Sequence, residues 1–184
     1  MIATHVIASD GRKHLIRRTP KLMISLCRTP NILYLDWLLL SYREKKLQDC
    51  SHHLVVNDHT SEKEYSFSMK HTLYAGKERR KDGGLLADWR VLFCKGVAGN
   101  RAPKHEDLNL IIQAAGGSVM NHSELPFSNT EDRSRVFVIT SDPADLKQTS
   151  DSIFAKVAED GAGFHTISWL FDSIMHQKLI RINV

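Results

Sequence analysis

An internal repeat constrains the fold of this chain more than any other feature of its sequence. When the sequence is compared with itself at an offset of 132 residues, VIASD (residues 6–10) falls on VITSD (residues 138–142). At the same offset and without a gap, Trp37 falls on Trp169. Matches that hold across about 40 residues and include a tryptophan indicate two copies of one structural unit.

The predicted elements follow the same order in both copies, and the second copy is the more complete. In it, RVFVITS (135–141) predicts a buried strand, and SDSIFAKVAEDG (150–161) predicts a helix that ends at a glycine. A short strand and the helix of SWLFDSIMHQKL (168–179) follow. A strand and an amphipathic helix precede them, within residues 85–120. The complete unit is therefore β-α-β-β-α-β-α, which predicts a three-layer α/β domain of about 100 residues.

The first copy lacks the beginning of this unit. The offset places Met1 opposite Arg133, so nothing in the first copy corresponds to residues between about 85 and 132. The sequence predicts a partial repeat over residues 1–56, a linker over 57–84 and a complete repeat over 85–184. An incomplete repeat suggests a truncated gene model, a splice form or a fragment of a larger protein.

The expected fold class is α/β, with two three-layer domains of which the first is truncated. Each domain should contain a central, mostly parallel sheet flanked by helices. The linker is polar, with weak helical character around residues 65–75, and we expect it to pack loosely.

Composition favours an anionic partner and a reducing compartment. Residues 1–84 hold 15 Lys and Arg against 9 Asp and Glu, whereas residues 85–184 hold 10 against 12. The basic half is typical of proteins that bind phosphoproteins or nucleic acids, although a solvated surface gives the same pattern. No apolar run approaches the roughly 20 residues that a membrane helix needs. Three widely spaced cysteines predict no disulfide framework, which fits the cytosol or the nucleus.

No motif of an enzyme is present, and we expect no catalytic activity, cofactor or metal. The sequence contains no P-loop, GxSxG, HExxH or CxxC motif. A cluster of possible zinc ligands has no standard spacing; it comprises Cys50, His52, His53 and His59. The basic run GKERRK (76–81) could serve as a nuclear import signal or a DNA-phosphate contact, or could simply be solvated.

The segment IRRTPKLM (16–23) predicts a helix start that binds an anion. Thr19 followed by a proline is typical of an N-cap and a first helical position. Lys21 adds a charge in the first turn, where free N–H groups and a partial positive charge already attract anions. Arg18 adds a fork-shaped donor suited to carbonyl or carboxylate oxygens. The second copy has Ile153 in place of Lys21, so only the first copy is predicted to carry the site; the alternative is a solvated basic loop.

Four sequence features are shared with a known family. They are the tryptophan that begins the last helix (DWLLLS and SWLFDS), the glycine pair of AAGGSVM, the strand THVI and the segment RTPK. In these features the chain resembles the BRCT domain family, and specifically tandem BRCT pairs such as the C-terminal pairs of PAX-interacting (PTIP-like) and DNA-damage checkpoint mediator proteins. The resemblance covers essentially the whole chain.

The resemblance implies roles for individual residues. Lys21, with Thr19, would contact phosphate, and Arg18 would contact the peptide main chain or a terminal carboxylate near position +3 of the peptide. The side chain at +3 would enter a groove between the repeats that is lined by Met23, Pro103 and Phe171. Structural roles are implied for Trp37, Trp169, Gly116 and Gly117; we interpret each tryptophan as an anchor between the last helix and the sheet.

The function expected from the resemblance is that of a nuclear phosphopeptide-binding adaptor in the DNA-damage response. Its partner would be a phosphorylated protein or histone tail, possibly in chromatin, with no membrane association. One departure matters: the family's phosphate pocket also uses a Ser or Thr followed by Gly at the end of the first strand, and this strand is absent here. Each lost hydrogen bond to a charged group costs about 1.5–3 kcal/mol. The alternatives are therefore a scaffold that binds without phosphate, or DNA binding by the basic half.

Overall fold

The computed structural model describes residues 3–8, 17–98, 102–125 and 133–180, and contains two parallel β-sheets. The end of the VIASD motif and the start of the basic segment lie in residues 9–16, outside the described residues. The first repeat consists of β1 (Val6–Ile7), α1 (Pro20–Arg28), β2 (Ile32–Leu33) and α2 (Leu35–Arg43). Two helices follow, α3 (His59–Tyr65) and α4 (Met69–Lys81).

The second repeat is a four-stranded parallel sheet with helices on both faces. Its elements are β3 (Arg90–Phe93), α5 (His105–Ala114), β4 (Ser118–Val119), β5 (Val136–Thr140), α6 (Leu146–Thr149), α7 (Ser152–Asp160), β6 (Phe164–Thr166) and α8 (Ile167–His176). The strand order is β4-β3-β5-β6, and every residue of β5 is buried, as expected for a central strand covered on both faces. The α/β fold class predicted from the sequence is confirmed. No helix in the described ranges is long and apolar enough to cross a membrane.

The two repeats share their strand register as well as their element order. Val6 pairs with Ile32 in the first repeat, and Val138 pairs with Phe164 in the second, so both partners are related by 132 residues. The hydrogen bonds of the two tryptophans follow the same rule. The Nε1–H group of Trp37 donates to the carbonyl of Gln48 (2.9 Å), and that of Trp169 donates to the carbonyl of Ile180 (2.7 Å). Both indoles are buried between the last helix and the sheet of their repeat.

The repeats meet through their helices. Helix α1 of the first repeat packs against α5 and α8 of the second. Buried residues from all three helices, among them Leu26, Ile112 and Ile174, belong to one hydrophobic cluster. The core of the chain is therefore continuous across the boundary between the repeats.

The linker packs more closely than the sequence predicts. Met69, Thr72 and Gly76 are buried on α4, and the Thr72 hydroxyl donates to the carbonyl of Met175 in α8. These three positions have the i, i+3, i+7 spacing of one helix face. Only one of them carries a large apolar side chain, so the face is not visible as a hydrophobic pattern. Helix α4 contacts both α1 and α8, and the expectation of loose packing is wrong.

The glycine pair after α5 makes a close backbone contact. Gly116 has a φ of +90°, and a Cβ atom added there would lie 2.1 Å from the carbonyl oxygen of Gly83. A Cβ atom on Gly117 would lie 3.0 Å from the Cβ atom of Leu86. The pair therefore allows the chain that enters the second repeat to lie directly against the end of α5.

Candidate functional site

The candidate site begins at the N-terminus of α1. Thr19 is the N-cap, with an extended backbone, and its hydroxyl accepts a hydrogen bond from the Leu22 amide (3.3 Å). Pro20 occupies the first helical position, where the missing N–H is not needed. The second turn begins with Met23, whose amide donates to the carbonyl of Thr19. The helix therefore starts at the residue that the sequence predicts.

The Lys21 side chain connects this helix start to the first sheet. Its ammonium group donates a hydrogen bond of 2.8 Å to the carbonyl oxygen of Ile7, the last residue of β1. Lys21 is exposed, so the ammonium group stays accessible to solvent. The charge is thus held between the end of β1 and the start of α1.

Arg18 reaches across to the second repeat. Its guanidinium group forms a salt bridge of 2.9 Å with Asp172 and donates a hydrogen bond of 3.2 Å to the carbonyl of Ser168. The rings of Tyr65 and Phe171 lie 4.8 and 5.5 Å from its Cζ atom. Two aromatic rings and a carboxylate therefore hold a cation that is only 18% exposed.

One donor of Arg18 is left over. The Nε–H group is buried and has no hydrogen-bond partner within the described part of the chain. A buried donor without a partner costs free energy, and most such groups in folded proteins are satisfied by protein or water. A carbonyl or carboxylate oxygen of a ligand at this position would satisfy it.

The residues predicted to line the groove are closed to solvent to different degrees. Met23 has no exposed surface and Phe171 is 7% exposed; both belong to the cluster that joins the repeats. Pro103 is half-buried and lies just before α5, which packs against α1. A side chain that enters between Met23 and Phe171 therefore has to displace neighbouring atoms.

Sequence reasoning missed three residues around Arg18, namely Tyr65, Ser168 and Asp172. Asp172 lies in the motif SWLFDS, which the sequence assigned only to packing of the last helix. Its partner Arg18 lies 154 positions earlier, and no local pattern links the two. The only available signal was that Asp172 directly follows Phe171, a residue already placed in the groove.

Two arginines of the basic run GKERRK have structural contacts. The Nε–H group of Arg79 donates to the carbonyl of Gln177 (3.2 Å), and Nη1 of Arg80 donates to the carbonyl of Leu26 (3.3 Å). Arg80 also has a lowered pKa, because burial disfavours its charged form. Both side chains tie α4 to the repeats, which explains the basic residues without an import signal or a DNA contact.

The cysteines and histidines provide no reactive or metal-binding centre in the described residues. Burial raises the pKa of Cys27 and of Cys94 to about 12, so both remain thiols at neutral pH. Cys94 lies in the wall of a cavity of about 330 Å³ at the end of β3, together with His105 and His122. No group of three His, Cys, Asp or Glu side chains in the described residues could hold a metal ion, and this includes the cluster near Cys50.

Comparisons with known proteins agree with this architecture. The family model described as BRCT domain matches residues 84–183. The chain is 32% identical over 105 residues to mediator of DNA damage checkpoint protein 1 of Rattus norvegicus; the match covers 57% of this chain but only 8% of that protein. The crystal structure of the BRCT5-BRCT6 domains of S. pombe Brc1 matches with a TM-score of 0.67 and 17% identity. This match covers 88% of this chain and 74% of that chain, and shows likeness of fold alone.

Proposed function

We propose that this chain, which belongs to the BRCT domain family, is an adaptor that binds phosphorylated peptides in the crevice between its two repeats. The observation that carries the proposal is the arrangement of two cations three residues apart. Lys21 lies at the capped start of α1, and Arg18 lies in the crevice with a buried N–H group that lacks a partner. A phosphate and a carbonyl or carboxylate on one peptide would match this pair.

The phosphate would bind at the start of α1. The first turn of a helix has amide groups without intrahelical partners and carries a partial positive charge. Lys21 supplies a full charge there, and Thr19 supplies the hydroxyl that caps the helix. The site lacks the hydroxyl and amide that the absent first strand supplies elsewhere in the family, so we expect weak binding, in the high micromolar range or above.

The remainder of the peptide would run along the crevice towards the second repeat. Arg18 would bind its main chain or a carboxylate near position +3, and the +3 side chain would insert between Met23 and Phe171 near Pro103. The partial repeat at 1–56, the linker at 57–84 and the complete repeat at 85–184 would act as one receptor. The similarity to mediator of DNA damage checkpoint protein 1 supports a nuclear, non-enzymatic role in the DNA-damage response, with a phosphorylated protein or histone tail as the partner.

Fluorescence anisotropy with matched phosphorylated and unphosphorylated peptide libraries tests the proposal. We expect binding only to phosphorylated peptides, and Lys21→Met should abolish it. Lys46→Met is the matched control, because it removes the same charge from an exposed position of the first repeat. Equal binding to both libraries would favour the phosphate-independent scaffold. An equal loss in both variants, with a steep salt dependence on duplex DNA, would favour nucleic-acid binding instead.

A further inference from the structure

The edge of β1 differs from the corresponding edge in the second repeat. In the described part of the chain, β1 pairs only with β2, whereas its counterpart β5 pairs with β6 on one side and with β3 on the other. The amides of Val6 and Ala8 both donate towards β2. Because bonding direction alternates along a parallel strand, the N–H and C=O groups of the intervening Ile7 face the open edge.

The carbonyl of Ile7 has an informative counterpart. At the offset of 132 it corresponds to the carbonyl of Ile139, which accepts a hydrogen bond of 2.9 Å from the amide of Cys94, the residue after β3. The carbonyl of Ile7 accepts its hydrogen bond from the ammonium group of Lys21, at 2.8 Å. Lys21 therefore occupies the position that the backbone of a neighbouring strand occupies in the second repeat.

Burial shows the same difference. Val138 and Ile139 of β5 are 0% exposed, whereas Val6 and Ile7 are both only partly buried. The register of β3 on β5 extends from Val136 to Ile139. The offset maps this register onto residues 4–7, so the open edge is long enough for a strand of about four residues.

We propose that the open edge of β1 binds an extended apolar peptide segment as an additional parallel strand, and that this strand displaces Lys21 from the carbonyl of Ile7. The segment would resemble β3, whose Val91, Leu92 and Phe93 are buried when it lies on β5. Recognition by strand addition relies on main-chain hydrogen bonds, with alternate side chains filling the sheet faces.

Strand addition would also control the anion site, a consequence that rests on the proposed function. Once a backbone amide of the added strand donates to the carbonyl of Ile7, the ammonium group of Lys21 is free to bind phosphate. Each ligand would then increase the affinity for the other by the same factor, because coupling between two binding equilibria is reciprocal. The supply of a strand would act as the switch for phosphopeptide binding.

A synthetic peptide with the sequence of residues 89–96, carrying Cys94→Ser, is a suitable probe, because this sequence covers the equivalent edge in the second repeat. We expect saturable binding to the full chain and slower hydrogen exchange of the Ile7 amide, measured by NMR. A scrambled peptide should produce neither effect. Equal binding of the scrambled peptide, or an unchanged exchange rate at Ile7, would overturn the proposal and leave Lys21 as a residue that merely blunts the edge.

Two variants separate this proposal from the proposed function. Lys21→Met removes the competing donor, so strand-peptide affinity should rise about threefold to tenfold while phosphopeptide binding disappears. Ile7→Pro removes the outward N–H group but keeps the amides of Val6 and Ala8, so it should abolish strand binding. A strand peptide that behaves as expected while no phosphopeptide binds would reject only the phosphate site. Strand affinity that is unchanged or weaker in Lys21→Met would reject the displacement.

Discussion

The salt bridge between Arg18 and Asp172 should couple the two repeats energetically, and a double-mutant cycle can measure this coupling. Arg18→Met keeps an unbranched apolar side chain between the rings of Tyr65 and Phe171 while it removes the charge. Asp172→Asn keeps the shape of the carboxylate. The cycle compares both single variants and the double variant with the wild type, each by urea denaturation.

The magnitude follows from the burial of the two partners. Arg18 is 18% exposed, but the side chain of Asp172 is 36% exposed, so solvent weakens the interaction. Exposed pairs are worth about 0.2–1 kcal/mol, and hydrogen bonds to charged groups about 1.5–3 kcal/mol. We expect an interaction energy between these limits, about 1–1.5 kcal/mol, that decreases in 1 M salt. An interaction energy within about 0.3 kcal/mol of zero would show that the contact does not hold the repeats together.

Two further predictions concern the second repeat. Gly116→Ala should lower the free energy of unfolding by more than about 3 kcal/mol in thermal or urea denaturation, because of its close contact with the backbone of Gly83. The control Gly96→Ala has a similar φ of +80° but open space around the added Cβ atom, and should cost only about 1–2 kcal/mol; equal losses would contradict the contact. Burial lowers the pKa of His165 from its usual 6.5, although a hydrogen bond to the carbonyl of Ala162 partly opposes this. The unfolded chain therefore binds the proton more tightly, so the stabilisation is complete above about pH 6.5 and is lost as the pH falls through the folded-state pKa. Between about pH 8 and pH 5 the wild type should lose more stability than His165→Gln, and parallel pH profiles would refute this.

The sequence predicted the features that depend on local patterns. The start of α1 at Thr19 follows from capping chemistry, and the buried tryptophans follow from their position at the beginning of an amphipathic last helix. The constant offset of 132 residues holds in three dimensions because the two repeats keep the same strand register. Such features need only neighbouring residues, or a comparison of the chain with itself.

The contacts that the sequence did not predict all join distant segments. Helix α4 docks through Thr72 and Gly76, which are too small or too polar to form a hydrophobic pattern. The partner of Arg18 lies on another repeat, and the partner of Lys21 is a backbone carbonyl, a group that every residue carries. The side chains were identified as candidates, but their neighbours depend on tertiary packing.

The docking of α4 has a consequence for how the crevice can operate. The helix is fastened to α8 through Thr72 and Arg79, and to α1 through Arg80. A brace that joins both walls resists hinge closure, so the opening has its width before any visitor arrives. Selection there must depend on the rearrangement of individual side chains, Met23 first, and a rigid frame of this kind penalises every guest whose spacing does not match.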